Sequence, residues 1–305
     1  MKKMIFILVV TLSLFVVFGC SNNVPNVSTS TEEVTMPTTE LTEPTSESEE
    51  KNIVDAFIAM GASESIDLIR MSDFLEANIS RLSPENADQM LQTYESAQMD
   101  VLPTYQDAFL NDPIQSILLT YSIEDLRQNL VQEVEISDLL KEAASIGYKI
   151  EAVEGTVAPY VDYGYFARFN PYSTKSTGAF YTLMKTESDN PSQKDAALLI
   201  SWEEVLQRGM NFESFLQNYP GSFYAERANM HLEGYSYISI NGTANVPLFD
   251  YDTNIMNAEA KAAYLTFVGK EQKTTFAEGV KTFVLLLEKH QFIKTAEIEA
   301  FISHQ

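Results

Sequence analysis

The chain has 305 residues, with 20 Lys and Arg against 43 Asp and Glu, which gives a formal net charge of −23 at pH 7. Apolar residues make up 45% and aromatic residues 11%, so most of the chain can bury a core. A pI near 4.4 argues against nucleic acid and against electrostatic docking on anionic lipid, because both carry the same sign of charge as the protein. One Cys excludes an intramolecular disulfide and a Cys-rich zinc site.

The N-terminus has the pattern of an export signal. Lys2 and Lys3 precede an apolar stretch over residues 4–18 that is interrupted only by Thr11 and Ser13. This stretch is shorter than the roughly 20 residues that a membrane span needs, and its length is typical of a signal-peptide core. We therefore predict a signal peptide over residues 1–19.

The segment Val17-Phe18-Gly19-Cys20 resembles a bacterial lipobox, with an aliphatic residue three positions before the Cys and a small residue directly before it. The resemblance implies cleavage between Gly19 and Cys20 and a diacylglycerol thioether on Cys20. An uncleaved anchor helix with an incidental Cys is the alternative. Each buried CH₂ contributes about 0.8 kcal/mol, so several acyl chains would hold the mature protein stably on the outer face of the cell membrane.

Residues 20–51 predict a lipidated Cys followed by a linker. The segment is rich in Ser, Thr, Glu and Pro, carries an excess of acidic residues and shows no apolar periodicity, which is typical of disordered chain. Such a stalk resembles those of Gram-positive lipoproteins, and the resemblance implies a spacer that lifts the following domain off the membrane. A passive tail is the alternative.

Residues 52–305 predict one mainly helical domain, a helical array or bundle. Ser83 before Pro84, Ser122 and Thr275 stand where helix N-caps are expected, and Ser137 begins a helix that Gly147 ends. Further helical patterns cover about 173–187, 192–208, 211–218, 222–240, 257–268, 275–290 and 295–303. Residues 148–163 alternate loosely around Gly155, which predicts a short β-hairpin or an extended segment.

Residues 212–228 are similar to a tetratricopeptide-type helix joint, in which Pro220 ends one helix and Ser222 caps the next. The pattern occurs once and no period of about 34 residues follows, so we interpret it as a local helix-turn-helix. More broadly, Gly147-Tyr148, Glu154-Gly155, Asp162-Tyr163 and the stretch 187–220 resemble uncharacterised extracytoplasmic lipoproteins of low-GC Gram-positive bacteria. That resemblance implies location and fold, and it implies no activity.

A calcium loop is the best candidate for a metal site. Asp250, Asp252 and Asn254 match its first, third and fifth positions, where carboxylate and amide oxygens converge on the cation. Ile255 stands where the loop needs Gly, and Lys261 stands where it needs a bidentate Glu. An ordinary acidic loop is therefore favoured, and no cofactor is predicted beyond a weak calcium site. The three His residues have no ligand spacing, and no catalytic motif is recognised.

Two further groups of residues are candidates for a site. Glu154 and Asp162 flank the predicted hairpin and would form an acid/base couple if they faced each other; solvated charge, or pairing with Arg168 or Arg208, is the alternative. Eleven of the 15 tyrosines lie between residues 148 and 251. A groove lined by tyrosines would stack sugars or grip a peptide, and packing between helices is the alternative. The candidate binding residues are Tyr160, Tyr163, Tyr165 and Trp202.

These patterns favour a membrane-anchored extracytoplasmic lipoprotein. The favoured hypothesis is that it acts as a non-enzymatic binding module for a peptide, a protein or a cell-wall component. The lipid anchor would be its contact with the membrane. The alternative is a cell-envelope hydrolase that uses carboxylates around Glu154 and Asp162. A purely structural lipoprotein is a third interpretation.

Overall fold

The structure is a computed structural model that describes residues 46–270 and 274–304. It is 65% helical, and within those ranges it has 13 α-helices and two small antiparallel two-stranded sheets. The predicted mainly α class with one short hairpin is thereby confirmed. The predicted signal peptide, Gly19 and Cys20, and the linker up to residue 45 lie outside the described residues.

Helices supply nearly all the regular structure, and two short hairpins interrupt them. The strands are β1 (Tyr148–Val153), β2 (Thr156–Val161), β3 (Gln193–Lys194) and β4 (Ala197–Leu198). The helices in chain order are α1 (Glu47–Gly61), α2 (Leu68–Asn78), α3 (Pro84–Phe109), α4 (Asp112–Leu118), α5 (Ile123–Arg127), α6 (Val134–Ser145), α7 (Tyr163–Ala167), α8 (Lys175–Asp189), α9 (Trp202–Asn218), α10 (Ala225–Asn241), α11 (Ala258–Val268), α12 (Thr275–Lys289) and α13 (Ala296–Ser303).

Helix α1 begins inside the segment predicted as linker. Ser46 caps it by accepting a hydrogen bond from the Glu49 backbone N–H. Three glutamates in its first turn stabilise the helix, because their negative charges lie at the positive end of its dipole. The Glu50 carboxylate also accepts hydrogen bonds from the Ser83 N–H and hydroxyl, each at 2.8 Å. These contacts to the start of α3 explain why the acidic residues before Asn52 are helical.

The predicted hairpin is formed by β1 and β2, which pair antiparallel from Tyr148 opposite Val161 to Val153 opposite Thr156. Glu154 and Gly155 make the connecting turn, with φ of 50° and 78°. A two-residue hairpin with positive φ at both positions has the geometry of a type I′ turn, which Gly adopts without strain.

Several predicted helix boundaries differ from the structure. Residues 192–198 are not helical and contain β3 and β4, and α9 runs unbroken through Gly209, where the sequence predicted an interruption. A Cβ at Gly209 would lie 2.5 Å from Cζ of Phe276, so this Gly lets α12 pack closely against α9. Helix α6 begins at Val134, three residues before the predicted cap Ser137, and the Ser137 hydroxyl instead accepts a hydrogen bond from Asn129 Nδ2 at 3.0 Å.

The helix joint at 212–228 is present as a turn between α9 and α10. Tyr219 is the C-cap of α9, and Pro220 follows it because Pro has no N–H with which to continue the helix. Helix α10 starts at Ala225 with Tyr224 as its N-cap, two residues later than the predicted cap, and the Ser222 hydroxyl accepts from the Tyr224 N–H at 3.1 Å.

Two clusters of buried apolar side chains hold the helices together. The larger one joins α1–α3 to α7, α8 and α10, and it includes Phe57, Tyr94 and Phe166. The smaller one joins α9 to α11–α13, and it includes Tyr264 and Leu287. Helix α9 contributes to both clusters, because Phe212 packs in the larger and Leu206 in the smaller. Burying one large apolar side chain contributes about 1.5–3 kcal/mol.

Candidate functional site

The tyrosines predicted to line a groove near the hairpin are mostly core residues. Tyr163 and Tyr165 on α7 are 6% and 7% exposed, and Trp202 at the start of α9 is 4% exposed. Tyr160 on β2 is half-buried. The two α7 rings and the Trp therefore cannot form a ligand platform, and the packing alternative describes them correctly.

Tyr163 belongs to a polar cluster around Glu95, which lies on α3 and is 4% exposed. Its carboxylate accepts hydrogen bonds from the hydroxyls of Tyr163 at 2.7 Å, Tyr224 at 3.2 Å and Tyr181 at 3.5 Å. Arg227 Nη1 completes an ion pair with it at 2.6 Å. Burial raises the pKa of each of these three tyrosines, so their hydroxyls stay protonated. The hydroxyls of Tyr181 and Tyr224 also bond each other at 2.6 Å, so one of them donates to the other and the second donates to Glu95. The Glu95 cluster joins α3, α7, α8 and α10.

The structure does not bring Glu154 and Asp162 together. Glu154 lies in the turn at one end of the hairpin, and Asp162 follows β2 at the other end. A strand of this length separates them by about 20 Å at 3.3 Å per residue, whereas an acid/base pair needs about 5–9.5 Å. Asp162 Oδ1 instead accepts from the Gly164 N–H at 2.8 Å and caps α7. Arg168 and Arg208 pair with other carboxylates.

The 250–254 loop, for which an ordinary acidic loop was favoured over a weak calcium site, is organised by its own hydrogen bonds. Asp250 Oδ1 accepts from the N–H groups of Asp252 and Thr253, at 3.1 and 2.8 Å, and from the Thr253 hydroxyl at 2.7 Å. The Thr253 bonds lower the pKa of Asp250. Across residues 46–270 and 274–304, no group of three or more His, Cys, Asp or Glu is placed to hold a metal ion. These bonds, together with the left-handed backbone of Asn254 at φ 56°, make residues 250–254 a turn.

This turn forms one wall of a surface groove of about 520 Å³, which we call the tyrosine groove. Tyr237 on α10 and Tyr251 line it, and they are 63% and 74% exposed. Its polar lining consists of Gln193, Asn241, Thr243, Asp250, Asn254 and Lys294. Asp250 and Asn254 were candidates only for a weak calcium loop, and the groove was not predicted from the sequence, because its walls come from separate segments of the chain.

Gly242 creates the groove by turning the chain sharply at the end of α10. Its φ of 76° and ψ of −155° are accessible almost only to Gly. A Cβ here would lie 2.5 Å from both the Leu248 nitrogen and the Val246 oxygen. The chain therefore folds back on itself, and the Leu248 N–H donates to the Asn241 carbonyl at 2.9 Å. We call residues 243–247 the strap.

Hydrogen bonds fix the strap to its neighbours. The Asn245 N–H donates to the Ala196 carbonyl at 2.9 Å, and its Nδ2 donates to the Asp195 carbonyl at 2.8 Å. The Tyr251 hydroxyl donates to the Ala244 carbonyl at 3.3 Å. Hydrogen bonds from backbone and side-chain donors to backbone carbonyls thereby join the β3–β4 turn, the strap and the 250–254 loop, which gives the groove a preformed shape.

A half-buried histidine on α10 predicts a pH dependence of stability. His231 on α10 stacks on Phe212, with ring centroids 4.7 Å apart and an interplanar angle of 7°. Burial, and secondarily the charge of Arg227, lower the pKa of His231. The unfolded chain protonates this ring near pH 6.5, so the stability it contributes is complete above that pH and is lost as the pH falls through the lowered pKa of the folded state.

We expect the free energy of unfolding to decrease between pH 7.5 and 5.5, and the decrease to be smaller in His231→Phe, which keeps the stacked ring. Urea titrations at several pH values measure it. His304→Phe, at the exposed end of the chain, is the control and should follow the wild-type profile. An identical pH profile for His231→Phe and wild type would refute this assignment.

Comparisons with protein-family models, with curated proteins and with solved structures found no match for this chain. Within the part of the chain that the structure describes, no helix combines the length and the apolarity that crossing a membrane requires. The groove's own geometry is thus the basis for assigning a function.

Proposed function

We propose that the protein is a lipid-anchored extracytoplasmic binding module, tethered through Cys20, whose ligand site is the tyrosine groove. The observation that carries the proposal is a preformed groove flanked by two tyrosines that are 63% and 74% exposed. The ligand classes in question are a cell-wall component, a peptide or a protein.

The dimensions and lining of the groove support binding. Its volume of about 520 Å³ lies within the range of about 300–1,000 Å³ that ligand sites occupy. Tyrosine rings offer an apolar face and a hydroxyl, and they lose little conformational entropy when a ligand covers them. Asn241 and Asn254 add hydrogen-bonding amides to the same lining. This combination of stacking faces and orienting polar groups is typical of recognition sites.

The charge of the chain supports the proposed location. Residues 52–305 carry 36 acidic and 17 basic residues, a net charge of −19 that disfavours contact between the folded part and an anionic membrane. Residues 21–46 connect Cys20 to α1, so a lipid on Cys20 would tether the helices without embedding them. The lipobox-like segment ending in Cys20 is the sequence feature behind this part of the proposal.

Replacing Cys20 by Ala tests the anchor. We expect Cys20→Ala to leave the membrane fraction, or to accumulate as an unprocessed precursor, because alanine has no thiol to which the diacylglycerol can be attached. Cell fractionation with immunoblotting and mass spectrometry of the N-terminus measures both outcomes. Ser21→Ala is the control and should be retained as wild type. Tight membrane retention of Cys20→Ala in a cleaved form would contradict lipidation.

Replacing the groove tyrosines tests the ligand site. In sedimentation assays of the full-length chain with isolated cell walls, we expect Tyr237→Ala and Tyr251→Ala each to weaken binding by about tenfold, which is the order of one lost aromatic contact. Both side chains are exposed, and Tyr251 loses only its hydroxyl contact with the Ala244 carbonyl, so circular dichroism should show an unchanged overall fold. Tyr172→Ala, an exposed tyrosine outside the groove, is the matched control. Equal binding by all three variants would place the ligand elsewhere.

A further inference from the structure

We infer that the tyrosine groove binds a neutral oligosaccharide whose sugar rings lie against Tyr237 and Tyr251. This inference rests on the proposed binding function and names its ligand class. Three properties of the groove lead to it: exposed ring faces, amide side chains, and a lining whose strap N–H groups mostly bond inside the fold and whose acid and base have opposite charges.

The two rings are suited to stacking on sugars. Both are more than half exposed in the groove, and the hydroxyl of Tyr251 is held by the Ala244 carbonyl at 3.3 Å. The ring of Tyr251 is therefore oriented before a ligand arrives. A pyranose presents a face of C–H groups, which packs on an aromatic face while its hydroxyls point outward to polar partners.

The polar groups match hydroxyls. Gln193, Asn241 and Asn254 each carry a carbonyl acceptor and an NH₂ donor, and a sugar hydroxyl both donates and accepts. Asn241 Nδ2 donates one N–H to the Tyr237 carbonyl at 3.1 Å. Its second N–H and its Oδ1 can therefore bond to a ligand. The turn at Asp250 uses Oδ1, so Oδ2 of this carboxylate is left to accept from a hydroxyl.

The strap is unsuited to an extended peptide. A peptide that adds to a sheet edge needs a row of free backbone N–H and C=O groups. In the strap, the N–H groups of Thr243, Asn245 and Val246 donate inside the fold to the carbonyls of Val246, Ala196 and Thr243, in that order. Pro247 has no N–H, and the N–H of Leu248 after the strap donates to the Asn241 carbonyl. Recognition in this groove therefore falls to side chains.

The charges favour a neutral ligand. Asp250 and Lys294 are the ionisable acid and base of the described lining, and they have opposite signs. The Lys294 ammonium lies 3.3 Å from Glu299, which reduces its attraction for an anion. The net charge of −23 repels acidic polymers. A neutral ligand avoids both effects.

The test uses the full-length chain in detergent micelles and isothermal titration calorimetry with three neutral tetrasaccharides: chitotetraose, cellotetraose and maltotetraose. We expect saturable binding of at least one. For that sugar, Tyr251→Ala should bind about tenfold more weakly, Tyr251→Phe within about threefold of wild type, and Tyr172→Ala like wild type. The Phe variant keeps the ring face and separates stacking from loss of the hydroxyl contact.

Absence of saturable binding to all three sugars, or equal binding by Tyr251→Ala, would overturn the oligosaccharide inference. A stem peptide of the cell wall, titrated in parallel, distinguishes failure of the oligosaccharide inference from failure of the proposed binding function. If the peptide binds in a Tyr251-dependent way and the sugars do not, the ligand class is wrong and the binding function stands. If neither sugars, peptide nor isolated cell walls bind, the oligosaccharide inference and its cell-wall setting both fail.

Discussion

Replacing Glu95 by Ala should lower the free energy of unfolding by about 3–5 kcal/mol, the loss that follows when one partner of a buried ion pair is removed. Glu95 is 4% exposed and is the shared acceptor of the hydroxyls of Tyr163, Tyr181 and Tyr224 and of the Arg227 guanidinium. The variant leaves these donors without that acceptor in a dry site. Because the Arg227 side chain is 35% exposed, water relieves part of the loss, and the lower end of the range is expected.

Two further variants define the cause. Glu95→Gln keeps the shape and one acceptor oxygen, so it should lose less than Glu95→Ala. Glu85→Ala, in the exposed first turn of the same helix, should change stability by less than about 1 kcal/mol. Urea denaturation of the full-length chain measures all three. A Glu95→Ala protein within 1 kcal/mol of wild type would show that the Glu95 cluster contributes little.

Replacing Gly242 by Ala should lower the free energy of unfolding by about 2–4 kcal/mol, because the backbone conformation is strained for any residue with a Cβ and the Cβ meets backbone atoms that cannot move alone. The contacts are at 2.5 Å from the Leu248 nitrogen and the Val246 oxygen. Relief requires the strap to shift, so binding in the tyrosine groove should weaken as well.

Gly234 in the same helix provides the matched control. A Cβ at Gly234 would meet no atom within 4 Å, and Ala has the higher helix propensity by about 1 kcal/mol. Gly234→Ala should therefore be as stable as wild type or more stable, with unchanged binding. Thermal denaturation of the two variants side by side measures the contrast. Equal stability of Gly242→Ala and Gly234→Ala would contradict the assigned role of the turn.

Local signals predicted much of the fold. The two-residue turn at Glu154-Gly155 determines the hairpin because Gly tolerates the positive φ that the turn requires. Ser122 caps α5 as expected, accepting from the Asp125 N–H at 3.1 Å. The patterns at 257–268, 275–290 and 295–303 correspond to α11, α12 and α13 within one residue at each end. In these segments the chain's own spacing of apolar and capping residues decides the structure.

Long-range packing explains what the sequence did not predict. The sequence predicted a helix end near Gly209. In the structure the ring of Phe276 packs against this glycine, so the absence of a side chain allows α9 and α12 to approach closely. Such a contact joins residues that are far apart in the chain and leaves no periodic signal. The same holds for the Glu95 cluster, whose members come from four helices.

The candidate site also combines a part that local sequence signals predict with a part that depends on long-range packing. The tyrosine-rich range was recognised, but composition does not distinguish buried rings from exposed ones. Tyr235 and Tyr237 are two residues apart on α10, which is about 200° around the helix, and they are 3% and 63% exposed. Which face of α10 meets solvent depends on α9 and on the strap. The groove could therefore be located only in three dimensions.

Tyrosine resonances test most directly whether the tyrosine groove holds the ligand. NMR spectra of the full-length chain with ¹³C-labelled tyrosine rings, recorded during titration with a soluble digest of cell walls, follow every ring at once. The ring signals of Tyr237 and Tyr251 should shift with saturation, while those of buried Tyr163 and Tyr165 stay in place. Shifts confined to other tyrosines, or no shift at saturating digest, would contradict a ligand site in this groove.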